Sequence, residues 1–273
     1  MNDLLFFYRA VIVRETRKML RQRDRLASAM VRPVLWLWII GGGMQALAGE
    51  DYTARLLPGI VGMTLLFGGM VGGLSIAFDK DAGTMRLLVT SPVKSHHVLL
   101  AKALAAGLGA LIQLGLLTLM LGFLEVLGIA LELLQWDLSL VFPWVGQTSW
   151  PNLALLIPFL VIAAFSCGTL GVLCGVFAKS IDGFAVMMNF VIFPLFFFSG
   201  ALYPLAPMPA VAKAVALANP FSYTVDLLRH AFASHAEMSI HTSLSFLGAS
   251  SIVMLIVATW RFRKSGAAVP LQV

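Results

Sequence analysis

Apolar runs long enough to cross a bilayer constrain this chain more than any motif in it. Six stretches qualify, at roughly 34–47, 56–78, 98–124, 153–178, 184–202 and 243–260. A helix rising about 1.5 Å per residue needs roughly 20 apolar residues to span the hydrocarbon. The first run is short and ends near Gly41-Gly42-Gly43. Composition closes the alternatives: 59% of the 273 residues are apolar and 12% are charged, against about 25% charged in an ordinary soluble domain. Too little polar surface remains to cover such a chain in water. A soluble enzyme, a disordered chain and a disulfide-stapled secreted domain are excluded. The expected fold is an all-α integral membrane protein with six transmembrane helices.

Cys167 and Cys174 lie in one apolar run. On a helix their separation of about 10 Å is too long for a bridge, so both are read as buried free thiols. The segment 203–241 is of another kind. It is apolar but broken by Pro204, Pro207, Pro209 and Pro220, and it carries Lys213, Asp226, Arg229 and Glu237. A charge near a helix centre costs about 2.5–3.5 kcal/mol on insertion. Two short helices that enter and return on one side are therefore expected here, as a re-entrant hairpin before the last span. Asn219-Pro220 would open its second helix, with proline in the first turn. Asp226 and Arg229, at i and i+3, would pair and lower the cost of charge at depth.

Lysines and arginines give the orientation. Residues 1–33, the loop after the second run and the start of the third, Lys179 and the stretch after the sixth run hold sixteen, against three (Arg55, Lys213, Arg229) on the other side. Both termini are expected in the cytoplasm of a multi-pass protein of the cell (inner or plasma) membrane. Ala46-Leu47-Ala48 resembles a signal-peptidase site, but a 33-residue leader containing Asp3, Glu15 and Asp24 is a poor signal sequence.

Residues 1–33 are read as a cytoplasmic amphipathic interface helix and 34–273 as one six-span domain. At about 100° per residue, Leu5, Tyr8, Ile12, Met19 and Leu26 fall on one face and Arg14, Arg17, Lys18, Arg21 and Arg25 on the other. The apolar stripe would enter the acyl boundary, with the cations facing headgroups or a partner protein. A simple positive-inside anchor is the alternative reading. The cytoplasmic loop 79–97 begins polar at Asp79-Lys80-Asp81, turns at Gly83, offers a short apolar helix and stops at Pro92. Gly68, Gly69, Gly72 and Gly73, with Gly171 and Gly175, form small-xxx-small pairs that permit close helix approach, within the subunit in preference to between subunits. No Walker A loop, zinc-protease helix or nucleophile elbow occurs in the sequence. The chain is expected to be no enzyme and to bind no cofactor, metal or nucleic acid.

Three strings carry a family resemblance. They are Asp79-Lys80-Asp81-Ala82-Gly83-Thr84-Met85-Arg86-Leu87-Leu88-Val89-Thr90-Ser91-Pro92-Val93, the run from Phe193 to Leu205 with its Ser199-Gly200-Ala201-Leu202-Tyr203-Pro204 end, and Asn219-Pro220-Phe221-Ser222-Tyr223-Thr224-Val225-Asp226-Leu227-Leu228-Arg229. With the leading helix they make the chain resemble the membrane subunit of an ABC exporter of the ABC-2 permease type. Arg86 stands where that family commonly has an acid, and Asp81 where it has a glutamate; both read as adaptation to a cognate ATPase. The resemblance implies a permease that pairs with a second copy, forming a homodimer. Two separate ABC ATP-binding subunits would hold the ATP and Mg. Arg14, Arg17, Lys18 and Arg21, with Asp79, Lys80, Asp81, Gly83, Thr84, Arg86, Leu87, Leu88 and Thr90 of a coupling helix, would dock them. The hairpin 203–241 would cap the outer end of the pathway through Tyr203, Asn219, Tyr223, Asp226 and Arg229. Phe193 and Phe197 face either lipid or an apolar passage. The alternative is a secondary transporter or channel independent of ATP. Such proteins usually show internal repeats and intramembrane charges, and neither is found here.

Overall fold

The computed structural model describes residues 2–22, 31, 33–42, 52–84, 93–132, 151–232 and 236–267. Among these residues the chain is all helical. It forms α1 (Asn2–Arg21), a π-helical turn (Leu37–Gly42), α2 (Tyr52–Asp81), α3 (Ser95–Glu132), α4 (Leu153–Phe177), α5 (Ile181–Phe197), α6 (Ala210–Ala218), α7 (Pro220–Ala231) and α8 (Ile240–Ala267). Four are long and apolar enough to cross a membrane: Arg55–Asp81, Ser95–Phe123, Leu153–Phe177 and Ile240–Lys264. The fifth predicted run falls on α5, which is apolar but 17 residues long.

Helix ends follow local chemistry. Asn152 caps α4, its side chain accepting from Ala154 N–H at 3.1 Å, and Ser180 caps α5 through Gly183 N–H at 3.0 Å. Such side-chain acceptors satisfy backbone donors left open in a first helical turn. Gly83 (φ 69°) turns the chain after α2, and Gly200 (φ 78°) does so beyond α5, in a left-handed conformation that glycine adopts without a Cβ penalty.

The helices α2, α4 and α8 run one way, α3 and α5 the other. The end of α2 meets the end of α4, where Lys80 reaches carbonyls of residues 175–178. The start of α4 meets the end of α7, where Asn152 N–H donates to the Ala231 carbonyl at 2.8 Å. One end of the bundle is thus charged; the other carries α6 and α7.

At the centre stands α2. Its most apolar window is 72% buried, against 22% for α8. Glycines make this possible on two faces. Gly69 and Gly73 abut the backbone of Cys167, Gly168 and Gly171 on α4, while Gly68 and Gly72 abut Ala110 and Ala106 on α3. A Cβ added at Gly68 would lie 2.6 Å from the Ala110 Cα, well inside van der Waals contact. The small-residue pairs therefore serve packing within the chain. Cys167 and Cys174 are buried free thiols on α4.

Two expectations about the N-terminal region change. Residues 34–42, the described part of the first predicted run, already lie at the far end from the charges. Trp36 packs edge-on against Phe196 at 5.3 Å, and Trp36 and Ile40 cover Leu56 and Ile60. The chain has reached that end by Trp36, earlier than a span of 34–47 requires. The helix α1 also differs. Tyr8 meets His97, Glu15 meets Lys102 and Met19 meets Gly109, so α1 climbs alongside α3 in the same direction. Tyr8 and Met19, assigned above to the acyl boundary, face protein, because Glu15 between them has a cation to reach on α3.

Candidate functional site

The charged end is organised by the last turn of α2. Asp79 is buried and its two carboxylate oxygens are divided: Oδ1 accepts from Arg14 Nη2 on α1 at 2.9 Å, and Oδ2 accepts from Lys102 Nζ on α3 at 2.6 Å. Lys102 is itself buried, 3% exposed, and also donates to Glu15 Oε1 at 3.1 Å and Ser75 Oγ at 3.2 Å. Arg14, Glu15, Asp79 and Lys102 carry two charges of each sign, so the cluster is neutral. Burying single charges would be prohibitive, whereas a neutral, hydrogen-bonded set is tolerated.

The next residue turns elsewhere. Lys80 Nζ donates to the carbonyls of Gly175 (3.1 Å), Val176 (2.6 Å) and Ala178 (2.7 Å). These carbonyls lie at the end of α4, where helical C=O groups lack intrahelical partners and a cation meets the negative end of the helix dipole. Asp81 follows, its Oδ2 3.4 Å from the Ile181 N–H at the start of α5. Three consecutive residues thus address α1 with α3, α4 and α5 in turn.

Of the residues expected on a docking surface, Arg17 and Arg21 are exposed and Arg14 is half exposed, one guanidinium nitrogen held by Asp79. The Lys18 ammonium sits over the Phe78 ring at 5.0 Å. Asp79 and Lys80 point into the protein. Asp81 and Gly83 are exposed, and Thr84 folds back to donate to the Asp79 backbone carbonyl at 3.2 Å. Arg86, Leu87, Leu88 and Thr90 lie outside the described residues. Glu15 and Lys102 were not singled out from sequence, although a lysine inside an apolar run is a signal that a buried carboxylate is near. Beside the cluster lies a cavity of about 40 Å³, lined by Glu15, Thr16, Ser75 and Lys102 among others, large enough for water. Tyr8 Oη lies 2.8 Å from His97 Nδ1 at the base of α3; burial pushes the phenol up, so it stays a neutral O–H.

At the opposite end the segment 203–241 contains α6 and α7, two short helices joined at Asn219. Asn219 caps α7 through Phe221 N–H at 2.9 Å, with Pro220 in the first turn as expected, and its Nδ2 donates to the Leu195 carbonyl at 2.7 Å. Tyr223 stacks on Phe246 at 4.0 Å and donates to the Leu217 carbonyl at 2.8 Å, burial again pushing the phenol up. The expected Asp226–Arg229 pair does not form. Asp226 accepts from the backbone N–H groups of Glu237 (2.7 Å) and Met238 (3.3 Å) and from Ser243 Oγ (3.3 Å). Arg229 donates to Glu237 Oε1 at 3.2 Å and to the Gly200 carbonyl. The open backbone donors preceding α8 satisfy the aspartate, leaving the guanidinium to Glu237, whose carboxylate also accepts from Leu205 N–H at 2.9 and 3.0 Å. Phe193 and Phe197 stack at 6.3 Å on the exposed face of α5, and Tyr203 donates to the Phe197 carbonyl at 2.8 Å.

Long apolar helices around a glycine-faced centre, fastened at one end by neutral charge clusters, define a polytopic membrane protein whose polar groups serve structure. The chain belongs to the ABC-2 type transporter family, whose model matches residues 7–233. It is similar to nodulation protein J of Rhizobium leguminosarum bv. trifolii, 22% identical over 246 residues, covering 88% of this chain and 86% of that one. It is also similar to the inner membrane transport permease YadH of Escherichia coli K12, 25% identical over 221 residues, covering 81% and 76%. A third relative is the putative transport permease ycf38 of Cyanophora paradoxa, 25% identical over 268 residues, covering 92% and 86%. The chain is a membrane transport permease.

Proposed function

We propose that the protein is the transmembrane subunit of an ATP-binding cassette exporter, with six spans and both termini in the cytoplasm of the cell membrane. Two copies pair to enclose the passage, and each docks a separate ATP-binding subunit that holds ATP and Mg and hydrolyses the nucleotide. The observation that carries this reading is the mixed chemistry of α1. Arg14 and Glu15 fasten it to α2 and α3, while Arg9, Arg17 and Arg21 stay exposed. A helix tied to the bundle by two residues and carrying exposed cations beside them suits reception of a partner's motion. Asp81, Gly83 and the coupling segment through Arg86, Leu87, Leu88 and Thr90 extend the docking surface. The segment 203–241 is the re-entrant hairpin capping the outer end, and the exposed Phe193 and Phe197, with Tyr203, face the passage.

The test is co-expression with the cognate ATP-binding subunit. The two chains are expected to co-purify and to show permease-stimulated ATP turnover in proteoliposomes. Arg86→Glu is expected to cut co-purification and stimulated turnover several-fold with membrane insertion unchanged. Export by the permease alone without nucleotide would refute the reading.

A further inference from the structure

We propose that Asp79, Lys80 and Lys102 form a mechanical junction that passes the position of α1 to the α4–α5 turn. Neighbouring residues at this end bond in opposite directions. Asp79 is bonded to α1 through Arg14 and to α3 through Lys102. Lys80, the adjacent residue, directs its three ammonium donors at three carbonyls ending α4, the full donor capacity of an ammonium. The last turn of α2 is therefore held from both sides by charge-assisted bonds, which are short and strong. A shift of that turn toward α1 draws Lys80 away from α4 or carries the end of α4 with it.

The junction also has room to rearrange. Lys102 has three acceptors, one on α1 (Glu15) and two on α2 (Ser75, Asp79), and the cavity of about 40 Å³ adjoins it. Withdrawal of α1 leaves the ammonium with Ser75 and Asp79, and a water in the adjoining cavity would take its third donor, which gives the cluster a second satisfied arrangement. Such two-state elements, unlike a uniformly packed contact, convert a small shift into a discrete one. The receiving element is short: the end of α4 and the start of α5 are separated by 178–180. Its position sets α5, whose exposed face carries Phe193 and Phe197. Lys102 and Lys80 are thus positioning residues; Lys102 acts on α4 and α5 only through Asp79 and Lys80.

Hydrogen exchange on the full-length permease in nanodiscs tests the junction without any partner. In Lys102→Met, amides of 178–184 are expected to exchange about tenfold faster, the factor of one weakened hydrogen bond, and Lys102→Arg is expected to restore protection. Wild-type exchange at 178–184 alongside faster exchange in α1 would overturn the proposal. Should Lys102→Met not fold, Glu15→Gln carries the same expectation and the same refutation. A second readout rests on the exporter reading. With the ATP-binding subunit bound, Lys102→Met is expected to lower kcat for ATP several-fold at unchanged KM and unchanged co-purification. Unchanged kcat, or loss of co-purification in this variant, would overturn the junction. Failure of the wild-type chain to bind any ATP-binding subunit would instead overturn the exporter reading and leave the exchange result standing.

Discussion

An ammonium removed from water must find acceptors for its three donors and a counter-charge. Lys102 finds both, with Asp79 and Glu15 as anions and Ser75 as a third acceptor. Removing it leaves two carboxylates buried beside one arginine, so Lys102→Met is expected to destabilise the protein by about 3–5 kcal/mol, measured by thermal unfolding in detergent. At the other end, Asp226 holds two backbone N–H groups ahead of α8. Asp226→Ala is expected to impair export more than abundance; a parallel fall in both, read by transport assay and immunoblot, would give the hairpin a folding role only. The legibility of these residues from sequence was uneven. Asp79 and Asp226 stand in recognisable strings. Glu15 and Lys102, 87 residues apart, belong to no local pattern, and the Asp226–Arg229 pairing fails because Glu237, in the stretch between α7 and α8, offers Arg229 a carboxylate.

At the level of elements, the glycine pairs on α2 were readable because spacing of three and four residues places them on a helix face. Which neighbour each face meets was not. Gly73→Val is expected to cost about 1–3 kcal/mol through overpacking against Gly171, with reduced yield of monodisperse protein on size-exclusion chromatography, whereas Gly248, with open space around it, is expected to accept alanine without change. The amphipathic pattern of α1 was equally plain, yet Tyr8 and Met19 of its apolar stripe meet α3 while Leu5 stays exposed. Helical periodicity gives α1 an apolar side and a cationic side; it does not say whether lipid or protein covers the apolar one.

Across the whole molecule, alternating helix directions place α1, the end of α2, the α4–α5 turn and the end of α8 together, with the lysines and arginines of each. Single cysteines introduced at Asn2 and Lys264, with Cys167 and Cys174 left in place as buried thiols, are expected to resist an impermeant maleimide in intact cells and to react after lysis. Labelling of either from outside would invert the proposed topology. The apolar runs by themselves determined that this chain is helical and membrane-embedded, because backbone polar groups in hydrocarbon have few other ways to be satisfied. They also marked where the helices lie, through caps, glycines and prolines that act over a single turn. Only the tertiary structure decided which charges neutralise one another and which glycine faces which helix. Those choices depend on atoms brought within a few ångströms from distant parts of the chain, and no periodicity along it encodes them.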